Sequence, residues 1–200
     1  MKKDRFGQMK QQLLLHLGPE QGQRVLPVMQ KEYDALCAAY ADQPASMFNH
    51  THNNIFPVVS AFRALMADGM EREQAAKLAQ DTFLELMEPI AESIRKMLKF
   101  PGLYRLMPWL WKTLMPKMFS ESAGFRFRFF DKGKKVVRFD MLECPYFRVC
   151  KELDCVELAP TFCTTDDICY GHMHPKLIWN RTKTLARGGD LCDFDLYIPD

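Results

Sequence analysis

No stretch of this sequence is apolar for long enough to cross a membrane. The most apolar stretch, residues 98–119, is interrupted by four cations and three prolines, whereas a spanning helix needs about 20 consecutive, mostly apolar residues. The short apolar run at residues 13–17 contains a histidine and is followed by no small-residue cleavage site, so a secretory signal is not indicated. We therefore expect a cytoplasmic protein without stable membrane insertion.

The chain also has no large net charge of either sign. The 27 Lys and Arg residues exceed the 25 Asp and Glu residues by only two, and no basic block stands out, so binding to nucleic acid is not expected. The sequence also lacks a phosphate-binding glycine loop, a dinucleotide fingerprint and a recognisable nucleophile triad. Kinase and dehydrogenase functions are therefore poorly supported.

Cysteine is plentiful, but its arrangement argues against two common uses. Six of the seven cysteines lie in the last third of the chain, yet their odd number and the missing secretory signal argue against a disulfide framework and for reduced thiols. No CxxC pair is present, so a zinc knuckle is not indicated. We expect no cofactor. The alternative is a metal site assembled in space from members of this set: Cys163, Asp166, Cys169, His172, His174 and Cys192.

The spacing of the apolar residues changes part-way along the chain. Apolar residues first recur at helical spacing, most clearly through residues 71–100. From Phe125 to Phe129 aromatic and basic residues alternate, which predicts a strand with one buried face. We expect an α+β protein in which a helical region at 1–120 packs on a small antiparallel sheet in a cysteine-rich region at 121–200, together forming one compact unit.

The C-terminal region is predicted to have the element order β-β-α-α-β-β. Its second helix is expected to be capped by Thr164 or Thr165, which places Asp166 near the helix N-terminus. The last two strands are expected at residues 177–185 and 191–198, joined through a turn that contains two glycines.

The segment 103–119 is rich in tryptophan and methionine. We interpret it as a helix packed between the two regions. The alternatives are a flexible lid, the surface of a homodimer, since methionine adapts to irregular contacts, and a helix lying in a membrane interface.

Residues Arg181 to Phe194 carry the most specific pattern, RTKTLARGGDLCDF. This pattern resembles the RTxTLAxGxxxCDF signature of the L-2-amino-thiazoline-4-carboxylic acid hydrolase family. The upstream elements CPY, beginning at Cys144, and FCxxD, from Phe162 to Asp166, resemble that family as well. A signature with this many fixed positions is far more specific than a lone CxxC.

The resemblance implies hydrolysis of a small cyclic amidine-like ring that carries a carboxylate. Opening a thiazoline ring in this way leads towards a carbamoyl-cysteine, so a small molecule is the expected partner. Two other readings stay open: a small-molecule or metal-binding sensor domain without catalysis, and an interaction protein that uses segment 103–119.

Opening a thiazoline at its C2 atom needs a nucleophile, an acid/base group and a cation for the substrate carboxylate. Arg181 suits the last task, because a guanidinium pairs a carboxylate through two hydrogen bonds; the alternative is a structural salt bridge. Cys192 is the candidate nucleophile, or else a small buried residue. Asp166 is the candidate acid/base, or else a helix cap.

Four further residues complete the expected site. Cys163 is expected to take part in catalysis, and Thr182, Thr184 and Asp193 in substrate binding. Neighbouring residues on a strand face opposite sides, so Cys192 and Asp193 should not both face one pocket. Whether a thiol or water attacks the ring stays open.

Overall fold

The computed structural model describes residues 4–199. Eight α-helices are described: α1 (Arg5–Ala39), α2 (Phe48–His50), α3 (Phe56–Ala67), α4 (Arg72–Glu85), α5 (Glu88–Leu98), α6 (Met107–Met118), α7 (Pro145–Glu152) and α8 (Ala159–Tyr170). Four strands are described: β1 (Arg126–Phe130), β2 (Val136–Glu143), β3 (Ile178–Asn180) and β4 (Cys192–Tyr197). The α+β class and the order β-β-α-α-β-β of the C-terminal part are confirmed.

The chain divides into two compact units. One contains the chain up to Leu86 together with Val149–Phe162, and the other contains Met87–Arg148 together with the chain from Cys163 onward. The expected division into residues 1–120 and 121–200 follows the change from helices to strands, and as a division into domains it stays a prediction.

In the first unit the long helix α1 packs against α3. Helix α1 bends at Gly18, whose φ of 70° and ψ of 175° are not helical, as the Gly-Pro pair in the sequence predicts. Between α2 and α3 the chain forms one π-helical turn at Thr51–Ile55. Phe56 and Phe62 of α3 are at most 1% exposed and lie in the core of this unit.

The second unit is built on an antiparallel sheet with strand order β1-β2-β4-β3. Strand β4 is central and pairs Cys192 with Met141 and Phe194 with Phe139 on β2. Burial alternates along β4, so Cys192 and Phe194 face the core while Asp193 lies on the opposite face. The predicted separation of Cys192 from Asp193 is confirmed.

Two element boundaries differ from those expected. Helix α8 begins at Ala159, not at Thr164 or Thr165, because Ala159-Pro160 already supplies a favourable first turn; Asp166 is therefore inside the helix and caps nothing. Strand β3 stops at Asn180, so most of the expected strand 177–185 is a loop.

Helix α6 lies against the sheet of the second unit through its buried face. Trp111 is 9% exposed, and its ring lies edge-on to Tyr170 and Trp179, at 4.6 Å and 5.4 Å between ring centroids. None of the helices within residues 4–199 combines the length and the apolar character that crossing a lipid bilayer requires.

Candidate active site

Arg181, directly after β3, lies at the centre of the candidate site. Its side chain is only 2% exposed. Nη1 donates to Oδ2 of Asp166 at 3.1 Å, and Nη2 donates to Oδ1 of Asp167 at 2.6 Å and to the carbonyl of Cys163 at 2.8 Å. The guanidinium carbon also lies 5.2 Å from the ring centre of Phe194. Arg181 thus joins the loop after β3 to one face of α8 through a buried ion pair with two carboxylates.

Asp166 is the carboxylate with the strongest electrostatic perturbation in this cluster. Burial raises the pKa of Asp166, Arg181 opposes the rise and Asp167 adds to it, so that the pKa lies at about 7. Its second oxygen, Oδ1, accepts no hydrogen bond from the part of the chain that the structure describes. A carboxyl group that exchanges its proton near neutral pH, with one oxygen unused, has the properties of a general acid/base.

Three thiols lie close to this ion pair. Burial raises the pKa of Cys163, although Arg181 and a hydrogen bond with Thr184 act against the rise. Burial, with a smaller contribution from the neighbouring Cys163, raises the pKa of Cys192 to about 11 and that of Cys144 to about 12. All three groups are therefore neutral thiols at neutral pH, and neutral thiols are weak nucleophiles.

Cys192 has a structural contact of its own. Its side chain is buried, with the residue 4% exposed, and its Sγ atom accepts a hydrogen bond from the backbone N–H of Leu185 at 3.3 Å. This contact holds the loop after β3 against the start of β4. None of the seven cysteines, all of which lie within residues 4–199, forms a disulfide.

The loop after β3 encloses a pocket of about 300 Å³. Asp193 fixes the start of this loop, because its carboxylate accepts hydrogen bonds from the backbone N–H groups of Thr182 and Lys183 at 2.9 Å and 2.7 Å and from the Thr182 hydroxyl. At the far end Gly188 has a φ of 86°, a conformation that side chains other than glycine rarely adopt. The pocket is lined by Arg181, Thr182, Lys183, Thr184, Arg187, Gly188 and Gly189.

Cationic groups mark the open side of this pocket. The Arg187 guanidinium is 49% exposed, donates to the Thr164 hydroxyl at 3.1 Å and lies 3.7 Å from Asp167. Lys183 pairs with Asp190 at 2.6 Å. Thr184 is 2% exposed, and its hydroxyl has no oxygen or nitrogen hydrogen-bond partner among residues 4–199. The positive charge on this side would suit a small anionic ligand.

The residues expected from the sequence do come together. Arg181, Asp166 and Cys163 are in direct contact, and Cys192 is near enough to all three for their charges to affect its pKa. Thr182 and Thr184 line the pocket, whereas Asp193 lies on the opposite face of β4 and accepts hydrogen bonds from the loop.

Two residues that make direct contacts in this site were not predicted from the sequence. Asp167 accepts the shorter of the two Arg181–carboxylate hydrogen bonds, and Arg187 reaches the same carboxylate from the pocket. The only signals were the Asp166-Asp167 doublet and a second arginine inside the family-like pattern. Among residues 4–199 the structure brings together no group of three or more His, Cys, Asp or Glu side chains able to hold a metal ion.

Comparison with known proteins gives one match. Residues 48–196 match the family model described as L-2-amino-thiazoline-4-carboxylic acid hydrolase. The match covers the π-helical turn at Thr51–Ile55, all of the sheet except Tyr197, and the whole candidate site. No curated protein and no solved structure matches the chain.

Proposed function

Because the chain belongs to the L-2-amino-thiazoline-4-carboxylic acid hydrolase family, we propose that it hydrolyses a small heterocycle containing a cyclic amidine and a carboxylate. The observation that carries this proposal is the Asp166 carboxyl group, whose pKa is raised to about 7 and which accepts a hydrogen bond from Arg181, a residue that lines a pocket of about 300 Å³. The pocket size suits one small ring compound.

In the proposed reaction Asp166 takes a proton from a water molecule. The resulting hydroxide adds to the C2 carbon of the ring, and Asp166 gives its proton to the ring nitrogen, so the C2=N double bond becomes a single bond. Asp166 then takes the proton of the new hydroxyl group and passes it to the same nitrogen while the C2–N bond breaks and the C2 carbonyl forms. One water is consumed, and the Asp166 carboxylate is restored. A group with a pKa near the working pH suits both transfers, because it accepts and releases the proton with little free-energy difference.

The substrate carboxylate is proposed to bind Arg187. The sequence pointed to Arg181 for this task, but the buried Arg181 guanidinium already donates to Asp166, Asp167 and the Cys163 carbonyl. Arg187 keeps its charge half exposed at the pocket, and a guanidinium can pair a carboxylate through two hydrogen bonds. Lys183 adds positive charge nearby.

Arg181 is proposed to act as a positioning residue. It holds Asp166 in place and limits the rise of its pKa, while Thr184 forms part of the pocket wall beside the substrate ring. Cys163 and Cys192 are proposed to form part of the buried wall of the site. They are not proposed to attack the ring, because both thiols are neutral at working pH.

The test is hydrolysis of 2-amino-thiazoline-4-carboxylate, followed by mass spectrometry for a product heavier by one water. We expect turnover by the unchanged protein, loss of turnover in Asp166→Asn, and retained turnover in Cys192→Ser. Turnover in Asp166→Asn with none in a folded Cys192→Ser protein would refute water attack in favour of the thiol. Saturable binding without turnover would favour a sensor domain.

A further inference from the structure

The segment between Ser93 and Ser120 has a one-sided charge composition. It contains six cations, Arg95, Lys96, Lys99, Arg105, Lys112 and Lys117, and no Asp or Glu. The chain as a whole has nearly equal numbers of both signs. Helices α5 and α6 both contribute to this segment, so the positive charge is concentrated on one part of the second unit.

The same segment exposes large apolar side chains. Trp109 is 63% exposed and Phe100 is 73% exposed. Four more of its apolar side chains are exposed to between 39% and 54%: Met97, Leu106, Leu114 and Met118. Exposed apolar groups of this size, lying together, usually mark a contact surface.

Helix α6 buries one face and exposes a tryptophan opposite to it. Met107, Trp111 and Met115, spaced by four, are buried. Trp109 lies on the other side of the helix and is 63% exposed. Leu114 follows Met107 by two turns and lies at the edge of the buried face, where it is 39% exposed. The helix therefore uses one face for the core of its unit and presents Trp109 away from it.

The cations of the segment differ in how far they are engaged within the chain. Arg95 and Lys96 pair with Glu88 and Glu92 within α5. Lys99 and Lys117 form an ion pair with no carboxylate in the part of the chain that the structure describes. Cations beside exposed Trp, Phe and Leu are the pattern of helices that lie in the interface of an anionic lipid bilayer.

We infer that this surface, defined by Phe100, Leu106, Trp109 and the surrounding lysines and arginines, binds reversibly to the surface of an anionic membrane. Charge decides between this partner and a second copy of the chain. A symmetric dimer would place two sets of cations against each other, which is unfavourable, whereas acidic lipid headgroups neutralise them. The binding is peripheral, with the aromatic groups reaching the headgroup level.

The test is flotation with vesicles of equimolar phosphatidylcholine and phosphatidylserine, compared with vesicles of phosphatidylcholine alone. We expect binding to the mixed vesicles only, release at high salt through screening, and a blue shift of tryptophan fluorescence that is lost in Trp109→Phe. Trp109→Ser should lower the partition coefficient roughly tenfold. Lys99→Glu with Lys117→Glu should lower it by at least as much, at roughly fivefold per lost cation.

Matched controls come from exposed positions on α1. Leu15 is 76% exposed and Lys31 is exposed, so Leu15→Ser and Lys31→Glu make the same chemical changes away from this surface and should leave vesicle binding unchanged. Circular dichroism and melting confirm that each variant is folded. Equal binding to both vesicle types, or a dimer in light scattering that Trp109→Ser dissociates, would overturn the inference.

Discussion

Replacing Asp166 by asparagine should remove activity and at the same time stabilise the fold at neutral and higher pH. In the folded protein the pKa of Asp166 rises from its ordinary value of 3.8 to about 7. Between these values the folded state holds a proton that the unfolded state has lost, so stability falls as pH rises through this window. Above pH 7 both states are ionised and the full penalty is present.

The size of this loss of stability follows from the width of the pH range between the two pKa values of Asp166. At about 1.4 kcal/mol per pH unit over about three units, the penalty reaches an upper bound of ~4 kcal/mol. The Asp166 side chain is 30% exposed, and solvent screening reduces this to a working figure of ~2 kcal/mol. For a chain of 200 residues that corresponds to a rise in Tm of roughly 4–8 °C.

The assay is thermal melting of the unchanged protein and Asp166→Asn across pH 4 to 8. The two curves should lie close together at pH 4 and separate progressively towards pH 8, with the variant melting higher. Asp167→Asn is the matched control: it removes the negative charge that accepts the 2.6 Å hydrogen bond from Arg181 and should lower Tm. A variant that is less stable than the unchanged protein at pH 8 would refute the reasoning.

Three further predictions concern the pocket and its supports. Arg187→Lys keeps the charge but loses the paired hydrogen bonds, so kcat/KM should fall by an amount equivalent to roughly 1–3 kcal/mol; an unchanged value in steady-state kinetics would exclude Arg187 as the anchor. Cys192→Ser places a hydroxyl at a buried site and should lower the free energy of unfolding in urea by about 1–2 kcal/mol, while the remaining folded protein stays active. A variant with unchanged stability and lost activity would show that the thiol takes part in the reaction. Gly188→Ala imposes a side chain at a φ of 86° and should cost about 1 kcal/mol in the same measurement, with weaker substrate binding; no change in either would show that the loop has another low-energy conformation.

The fold class and element order could be predicted because they depend on local patterns. The alternation of Phe125 to Phe129 and the Gly18-Pro19 break are read from neighbouring residues alone. The end of β3 could not be read in this way. It depends on Asp193, distant in sequence, whose carboxylate accepts the N–H groups of Thr182 and Lys183, and side chains of that kind carry no periodic signal.

The sequence predicted which residues would lie together, but not the contacts that each of them makes. The resemblance identified Arg181, Asp166, Cys163 and Cys192, and these residues do come together. Their burial decides what each can do: a 2% exposed guanidinium is occupied by two carboxylates, and a buried Cys192 stays protonated. Burial is a property of the whole packed unit, so no single stretch of sequence reveals it.

The ion pair of Arg181 with Asp166 and Asp167 also constrains how this site can diverge. Loss of the arginine alone would leave two neighbouring carboxylates without a cation, and loss of both carboxylates would leave a buried cation, and each is strongly destabilising. These three positions are thus expected to be inherited together, while Lys183 and Arg187 at the pocket rim can vary one at a time. New substrates in this family would then arise through changes at the rim, around an inherited charge cluster.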